Sequence, residues 1–252
     1  MPVKNTLSNG YIYNIMASQH SAVPGYQGHD IQDIKNVYED FNTFKIDPHV
    51  PINFQELARF TGSILCKNPS NLTLTLEPDT IIEFDNVFLY GAKNIPYDNL
   101  LTSILSTTYK HSFIELYQCI DRLYQVFYID ELYDVLKPNM SFINFLKEIE
   151  QSLSWKPSEN NSIEKIISMT PSYVYSEVIK LKIQKTQSES KLSSWFYNIR
   201  NQLVHLRALQ ERMDFSSKEW NILLRGTLKI IQYWYQYYDK KLSGKIGHID
   251  HP

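Results

Sequence analysis

Glycine is absent from the chain between Gly91 and Gly226, and this gap is the feature that most restricts the fold. Apolar residues recur within it every three or four positions, which is the spacing that buries one face of an α-helix. The longest such run is Phe113, Leu116, Tyr117, Ile120, Leu123, Tyr124 and Phe127. The pattern predicts a mainly α protein in which residues 97–242 form an antiparallel helical bundle.

Proline and capping residues predict where the helices of this bundle begin and end. Pro138 ends one helix, because proline cannot continue the backbone hydrogen bonds. Two pairs have a capping side chain followed three residues later by glutamate, an arrangement called a capping box: Asn161 with Glu164, and Ser216 with Glu219. The second pair opens a last helix with the inward stripe Leu223, Thr227, Ile230, Ile231, Trp234 and Tyr238.

Residues 1–96 contain frequent glycine and proline, which leaves room only for short elements. The alternation of apolar residues and threonine over residues 72–76, and the apolar run over residues 81–90, predict the strands of a small sheet. Asn53 with Glu56 three residues later predicts the start of a short helix. We therefore expect a small mixed α/β domain over residues 1–96 in front of the bundle, and a flexible tail over residues 243–252.

Composition excludes some classes of function. The net charge is only −2, so any nucleic-acid site must be a local cationic patch. No clustered set of His, Cys or carboxylate ligands is visible, so we expect neither a metal nor a cofactor. Cys66 and Cys119 are far apart in the sequence, as expected for reduced thiols in the core. The sequence contains no run of about 18 apolar residues, so it predicts no membrane-spanning helix. The expected location is the cytoplasm.

One predicted helix, from Trp195 to Arg207, separates an apolar face from a polar one. Its core-facing residues are Leu192, Trp195, Phe196, Ile199, Leu203 and Leu206. The other face carries Arg200, Asn201 and His205, with the last two at positions i and i+4. Arginine binds phosphate oxygens through two parallel N–H groups, and histidine exchanges a proton near neutral pH. This face can therefore hold a phosphate and move a proton.

The sequence Arg200-Asn201-x-x-x-His205 on a helix resembles the signature of the HEPN superfamily. The resemblance implies a helical bundle that dimerises and, in active members, cuts RNA without metal. It implies that Arg200, Asn201 and His205 are the catalytic residues and that the products carry a 2′,3′-cyclic phosphate and a 5′-hydroxyl. It also implies a prokaryotic defence or toxin system, with a regulatory or antitoxin protein as a possible partner.

A site shared between two copies follows from the chemistry, because one imidazole cannot act as acid and base at the same moment. We expect a homodimer in which Tyr197 and Val204, on the same face as Arg200, line the interface. Arg207 and Arg212 follow the motif and extend a cationic strip that would bind RNA.

Two other interpretations remain open. The chain could be a non-catalytic HEPN-like module that binds RNA or a protein partner. It could also be a plain helical scaffold, in which Arg200 pairs with an acidic side chain and His205 is merely exposed. Substitution of Arg200 or His205 distinguishes these cases, because only an enzyme would lose RNA cleavage.

Overall fold

The structure is a computed structural model. It describes residues 52–153, 155, 157–186, 190–205 and 214–244, and the backbone of two short strands. The strands, β1 (Pro2–Val3) and β2 (Thr43–Phe44), pair antiparallel with Pro2 opposite Phe44. The contacts divide the chain into two units, Met1–Ile52 and Asn53–Pro252. Apart from β1 and β2, the predicted mixed domain before Ile52 lies outside the described residues, and so does the predicted tail beyond Gly244.

The regular elements described in the second unit are all helical, which confirms the predicted mainly α fold for that part of the chain. In chain order they are α1 (Phe54–Lys67), a 3₁₀ turn (Pro69–Asn71), α2 (Pro78–Tyr90), α3 (Tyr97–Ile104), α4 (Tyr109–Asp121), α5 (Tyr124–Leu136), α6 (Phe142–Leu153), α7 (Glu159–Met169), α8 (Ser176–Lys185), α9 (Leu192–Val204), α10 (Ser217–Tyr237) and α11 (Asp239–Leu242).

Helix α10 lies at the centre of this unit and packs against α2, α4 and α8. The six residues of its predicted inward stripe are all buried. Its predicted capping box is also confirmed: the Glu219 N–H donates to the Ser216 hydroxyl, and the Ser216 N–H donates to the Glu219 carboxylate at 2.7 Å. The box predicted at Asn53 and Glu56 opens α1 in the same way.

The strands predicted over residues 72–90 are wrong. Residues 78–90 form α2, with Pro78 at its first position, where a missing N–H removes no helical hydrogen bond. A short apolar run fits a strand or a buried helix equally well, and here Phe84, Val87 and Phe88 are buried at helical spacing. Because α1 and α2 pack against α3 and α10, residues 53–96 belong to the same unit as the helices that follow. The division therefore falls at residue 52, whereas the sequence had suggested residue 96.

Two other helix boundaries in the structure differ from those that the sequence predicts. The predicted capping box at Asn161 and Glu164 is wrong, because α7 already begins at Glu159 with Ser158 as its N-cap. The apolar run from Phe113 to Phe127 is buried as expected, but it is shared between α4 and α5. Periodicity continued across this break, so it could not locate the end of α4.

Helix α9 carries the motif and lies against α4 and α7. Trp195, Phe196 and Ile199 are buried as predicted, Leu192 and Leu203 are partly buried, and Leu206 lies outside the described residues. The Phe196 ring lies 5.4 Å from that of Phe113 and 5.6 Å from that of Tyr117, both in α4. These ring contacts fix α9 one turn before Arg200.

We predict that Gly62→Ala destabilises the protein. An added methyl carbon would lie 2.2 to 2.5 Å from three carbons of the Phe88 ring, which is itself stacked between Phe84 and Tyr97. Overpacking of this kind exceeds the gain in helix propensity, so we expect a loss of about 1 to 3 kcal/mol in the free energy of unfolding. Urea unfolding measures it. The double variant Gly62→Ala/Phe88→Leu should lose less than the two single losses added together, and full additivity would contradict the clash.

Candidate functional site

The motif helix ends earlier than predicted. Helix α9 stops at Val204, and His205 has extended backbone angles of φ −112° and ψ 107°. The His205 N–H still donates to the Asn201 carbonyl oxygen at 2.8 Å, so the two residues keep one helical hydrogen bond. The prediction of a helix through Arg207 is therefore wrong, because regular apolar spacing does not reveal the last hydrogen bond. His205 is exposed just beyond the end of the helix.

Arg200 is held in place by two neighbours. Its Nη1 donates to Asn201 Oδ1 at 3.0 Å and forms an ion pair with Glu159 Oε2 at 3.1 Å, while Nη2 donates to Glu159 Oε1 at 3.4 Å. The Arg200 side chain is only 16% exposed, whereas that of Glu159 is 47% exposed. The guanidinium is thus oriented by Asn201 and already bound to an oxyanion, which is the acidic pairing that the scaffold interpretation requires.

A group of buried polar side chains is coupled electrostatically to Arg200. Burial raises the pKa of the Asp121 carboxyl to about 6, while a hydrogen bond with Tyr124 and the positive charge of Arg200 oppose this rise. The hydroxyl oxygens of Tyr117 and Tyr124 are hydrogen-bonded at 3.0 Å, and burial raises the pKa of both phenols. Asp121 Oδ1 is buried and has no hydrogen-bond partner within the described ranges. A carboxyl that titrates near neutral pH therefore belongs to the surroundings of the motif.

The structure brings only some of the predicted site residues together. Arg200 and Asn201 are in direct contact, and His205 follows one turn later. Of the two predicted interface residues, Tyr197 is half-buried against the core, whereas Val204 is exposed. The predicted RNA-binding residues Arg207 and Arg212 both lie outside the described residues.

Sequence reasoning missed Glu159 and Asp121. They lie on α7 and α4, and Glu159 is 41 positions from Arg200, so no local spacing connects them. The one available signal was that an arginine on a packed helix commonly has an acidic partner, and this does not say which acid is the partner. Only the packing of α9 against α7 and α4 identifies both residues.

The described part of the chain was predicted to hold no metal site and to keep its cysteines as reduced core thiols. No group of three or more His, Cys, Asp or Glu side chains there could hold a metal ion. Cys66 and Cys119 are free and buried; burial raises the pKa of the Cys66 thiol to about 12 and also raises the pKa of the Cys119 thiol far above its ordinary value. Both thiols are therefore protonated at neutral pH, which disfavours nucleophilic roles for them. No helix within the described ranges is long and apolar enough to cross a membrane.

Comparison with known proteins gives no relative: no family model, curated protein or solved structure matches the chain. The HEPN resemblance therefore rests on Arg200, Asn201 and His205 at the end of α9, within a mainly helical unit.

We predict that Asp121 makes stability depend on pH. Its pKa of about 6 in the folded state lies above the ordinary value of 3.8, so the folded protein binds the proton more tightly than the unfolded chain. Stability contributed by this group is full below about pH 4 and is lost as the pH rises through 6, by roughly 3 kcal/mol in total. Urea unfolding at pH 4 and pH 7 should show a larger decrease for the native chain than for Asp121→Asn. Equal decreases would contradict the assignment.

Proposed function

We propose that the protein is a metal-independent endoribonuclease of the HEPN type. The observation that supports this most is the arrangement at the end of α9, where Asn201 orients the Arg200 guanidinium and exposed His205 follows one turn later. A fork of N–H groups that already binds carboxylate oxygens suits phosphate oxygens equally. The exposed imidazole of His205, one turn further along the chain, can exchange a proton with solvent or with a ribose.

The reaction needs no metal because RNA carries its own nucleophile. The ribose 2′-oxygen attacks phosphorus, a 2′-O–P bond forms and the bond from phosphorus to the 5′-oxygen breaks. His205 takes the proton from the 2′-hydroxyl or gives one to the leaving 5′-oxygen, and Arg200 neutralises the charge on the phosphoryl oxygens. The products are a 2′,3′-cyclic phosphate and a 5′-hydroxyl.

The second proton-transfer group is proposed to come from a second copy of the chain. Exposed Val204 and half-buried Tyr197 lie on α9 beside the motif and would form the contact across a twofold axis. Two His205 side chains would then serve one substrate, one as base and one as acid. On the same resemblance, we place the enzyme in a cytoplasmic defence or toxin system controlled by a regulatory or antitoxin protein.

A second candidate is a non-catalytic HEPN-like module that binds RNA or a protein. The specific observation in its favour is the ion pair between Arg200 and Glu159, which occupies the N–H groups that would bind a phosphate. In that case the polar face stabilises the fold or a partner contact, and no RNA is cut.

We predict that the native chain cuts RNA in excess EDTA and that Arg200→Ala and His205→Ala each lower the rate at least about a hundredfold, because each removes a group that acts in the transition state. Arg200→Lys should also be slow, because lysine lacks the planar fork. Asn198→Ala is the matched control, since Asn198 is exposed on the same helix. Gel analysis of a mixed RNA pool measures the rate.

Three outcomes of this experiment would count against a metal-independent enzyme that uses Arg200 and His205. Loss of cleavage in EDTA would show that a metal is required. Equal loss in Asn198→Ala would point to general disturbance of α9. No cleavage by a folded dimer would favour the binding module.

We predict that Val204→Glu weakens the dimer and slows cleavage, because two like charges would meet across the twofold axis. Val135→Glu is the matched control: Val135 is also exposed and lies in the last turn of its helix. Sedimentation should give a monomer for Val204→Glu and a dimer for both the control and the native chain. If all three proteins are dimers, the interface does not include Val204 of α9.

A further inference from the structure

Glu159 occupies both terminal nitrogens of the Arg200 guanidinium. Its two carboxylate oxygens approach two different guanidinium nitrogens, at 3.1 Å for Nη1 and 3.4 Å for Nη2. A phosphate group binds an arginine through the same pair of parallel N–H groups. The carboxylate and a phosphate therefore cannot both hold these N–H groups in this geometry.

The two partners of this ion pair are fixed to different degrees. Arg200 is mostly buried, is bonded to Asn201 and lies one turn after buried Phe196. Glu159 is the first residue of α7 and nearly half exposed, so its carboxylate can turn into water. A partly exposed ion pair contributes only about 1 kcal/mol, so leaving it is inexpensive. On ligand binding, Arg200 would stay in place and Glu159 would move.

From this geometry we propose that Glu159 competes with a substrate phosphate for Arg200 and thereby sets the affinity of the site for phosphate. The identification of that substrate as RNA rests on the proposed function. A free phosphate ion contacts only this site. The binding energy of that one contact must therefore offset the whole loss of the ion pair between Arg200 and Glu159. An RNA backbone gains further contacts from neighbouring phosphates, which offset the loss of the ion pair. Glu159 thus lowers the affinity for both ligands by the same factor, and RNA still binds because its other phosphates add contacts.

The test compares Glu159→Gln with Glu164→Gln. Both glutamates lie on α7, both substitutions remove one negative charge, and Glu164 pairs instead with Lys191, the N-cap of α9. The probe is a short 2′-O-methyl RNA, which lacks the nucleophile and so reports binding alone. We expect Glu159→Gln to lower its Kd about fivefold, which corresponds to the release of one partly exposed ion pair, and Glu164→Gln to change it less than twofold.

A second arm separates the sources of phosphate. With the probe held at its own Kd for each variant, inorganic phosphate should displace it at a lower concentration from Glu159→Gln than from the native chain, because the free anion no longer competes with a carboxylate. Adding Arg200→Ala to Glu159→Gln should abolish the gain in affinity. Thermal unfolding of each variant verifies that it is folded.

Four results would overturn the competition. Weaker binding by Glu159→Gln would mean that Glu159 positions Arg200 for the ligand. Equal gains in affinity for Glu159→Gln and Glu164→Gln would show that the effect comes from the net charge of the protein and not from the contact with Arg200. Unchanged affinity, or no binding by Glu159→Gln, would exclude Arg200 as the phosphate ligand that Glu159 blocks.

The outcome is separable from that of the proposed function, because cleavage of ordinary RNA is measured on the native chain. If Glu159→Gln binds the probe more tightly but the native chain cuts no RNA, the proposed competition is supported and the proposed nuclease activity is contradicted. Cleavage that depends on Arg200, with unchanged binding in Glu159→Gln, would do the reverse.

Discussion

Burial of α10 is the interaction on which the helical unit depends. This helix has buried residues along its whole length and contacts α2, α4 and α8. Its polar groups are satisfied within the same packing: Trp234 Nε1 donates to Thr170 Oγ1 at 2.7 Å, and buried Arg225 pairs with Glu77 at 3.0 Å and with Glu177 at 2.7 Å. Because Glu77 caps α2 and Glu177 lies in α8, one guanidinium ties three helices together. Removal of Arg225 would take away the cation that Glu77 and Glu177 share, and Glu177 would keep only its ion pair with Lys229 at 3.2 Å.

The candidate site is attached to this core through aromatic rings. Phe113 of α4 lies 6.1 Å from Trp220 of α10 and 5.4 Å from Phe196 of α9, measured between ring centres. Because α4 packs against both helices, the position of α9 depends on the position of α10. Arg200 comes one turn after Phe196, so its orientation towards Glu159 and Asp121 follows from the same contacts. Core packing and the chemistry of the site are consequently coupled.

The sequence predicts those features that depend on neighbouring positions. The buried faces of α9 and α10 follow from apolar spacing, and the capping box at Ser216 follows from one pair of residues. It fails where two structures share one pattern, as with the apolar residues of α2, which fit a strand equally well. It also fails for partners brought together by packing, since Glu159 meets Arg200 across 41 positions. The sequence could therefore identify Arg200 and Asn201 as candidate site residues, but it could not show that Glu159 is the acid paired with Arg200.

The central claim is that RNA supplies the nucleophile at a site formed by Arg200 and His205. Its most direct test is an RNA cut in excess EDTA and then remade with a single 2′-deoxyribose on the 5′ side of the mapped cut. If the 2′-hydroxyl is the nucleophile, this one cut disappears, while cuts elsewhere in the RNA persist and end in 2′,3′-cyclic phosphate. A cut that remains at the deoxyribose would show that another nucleophile attacks phosphorus, and would contradict the mechanism.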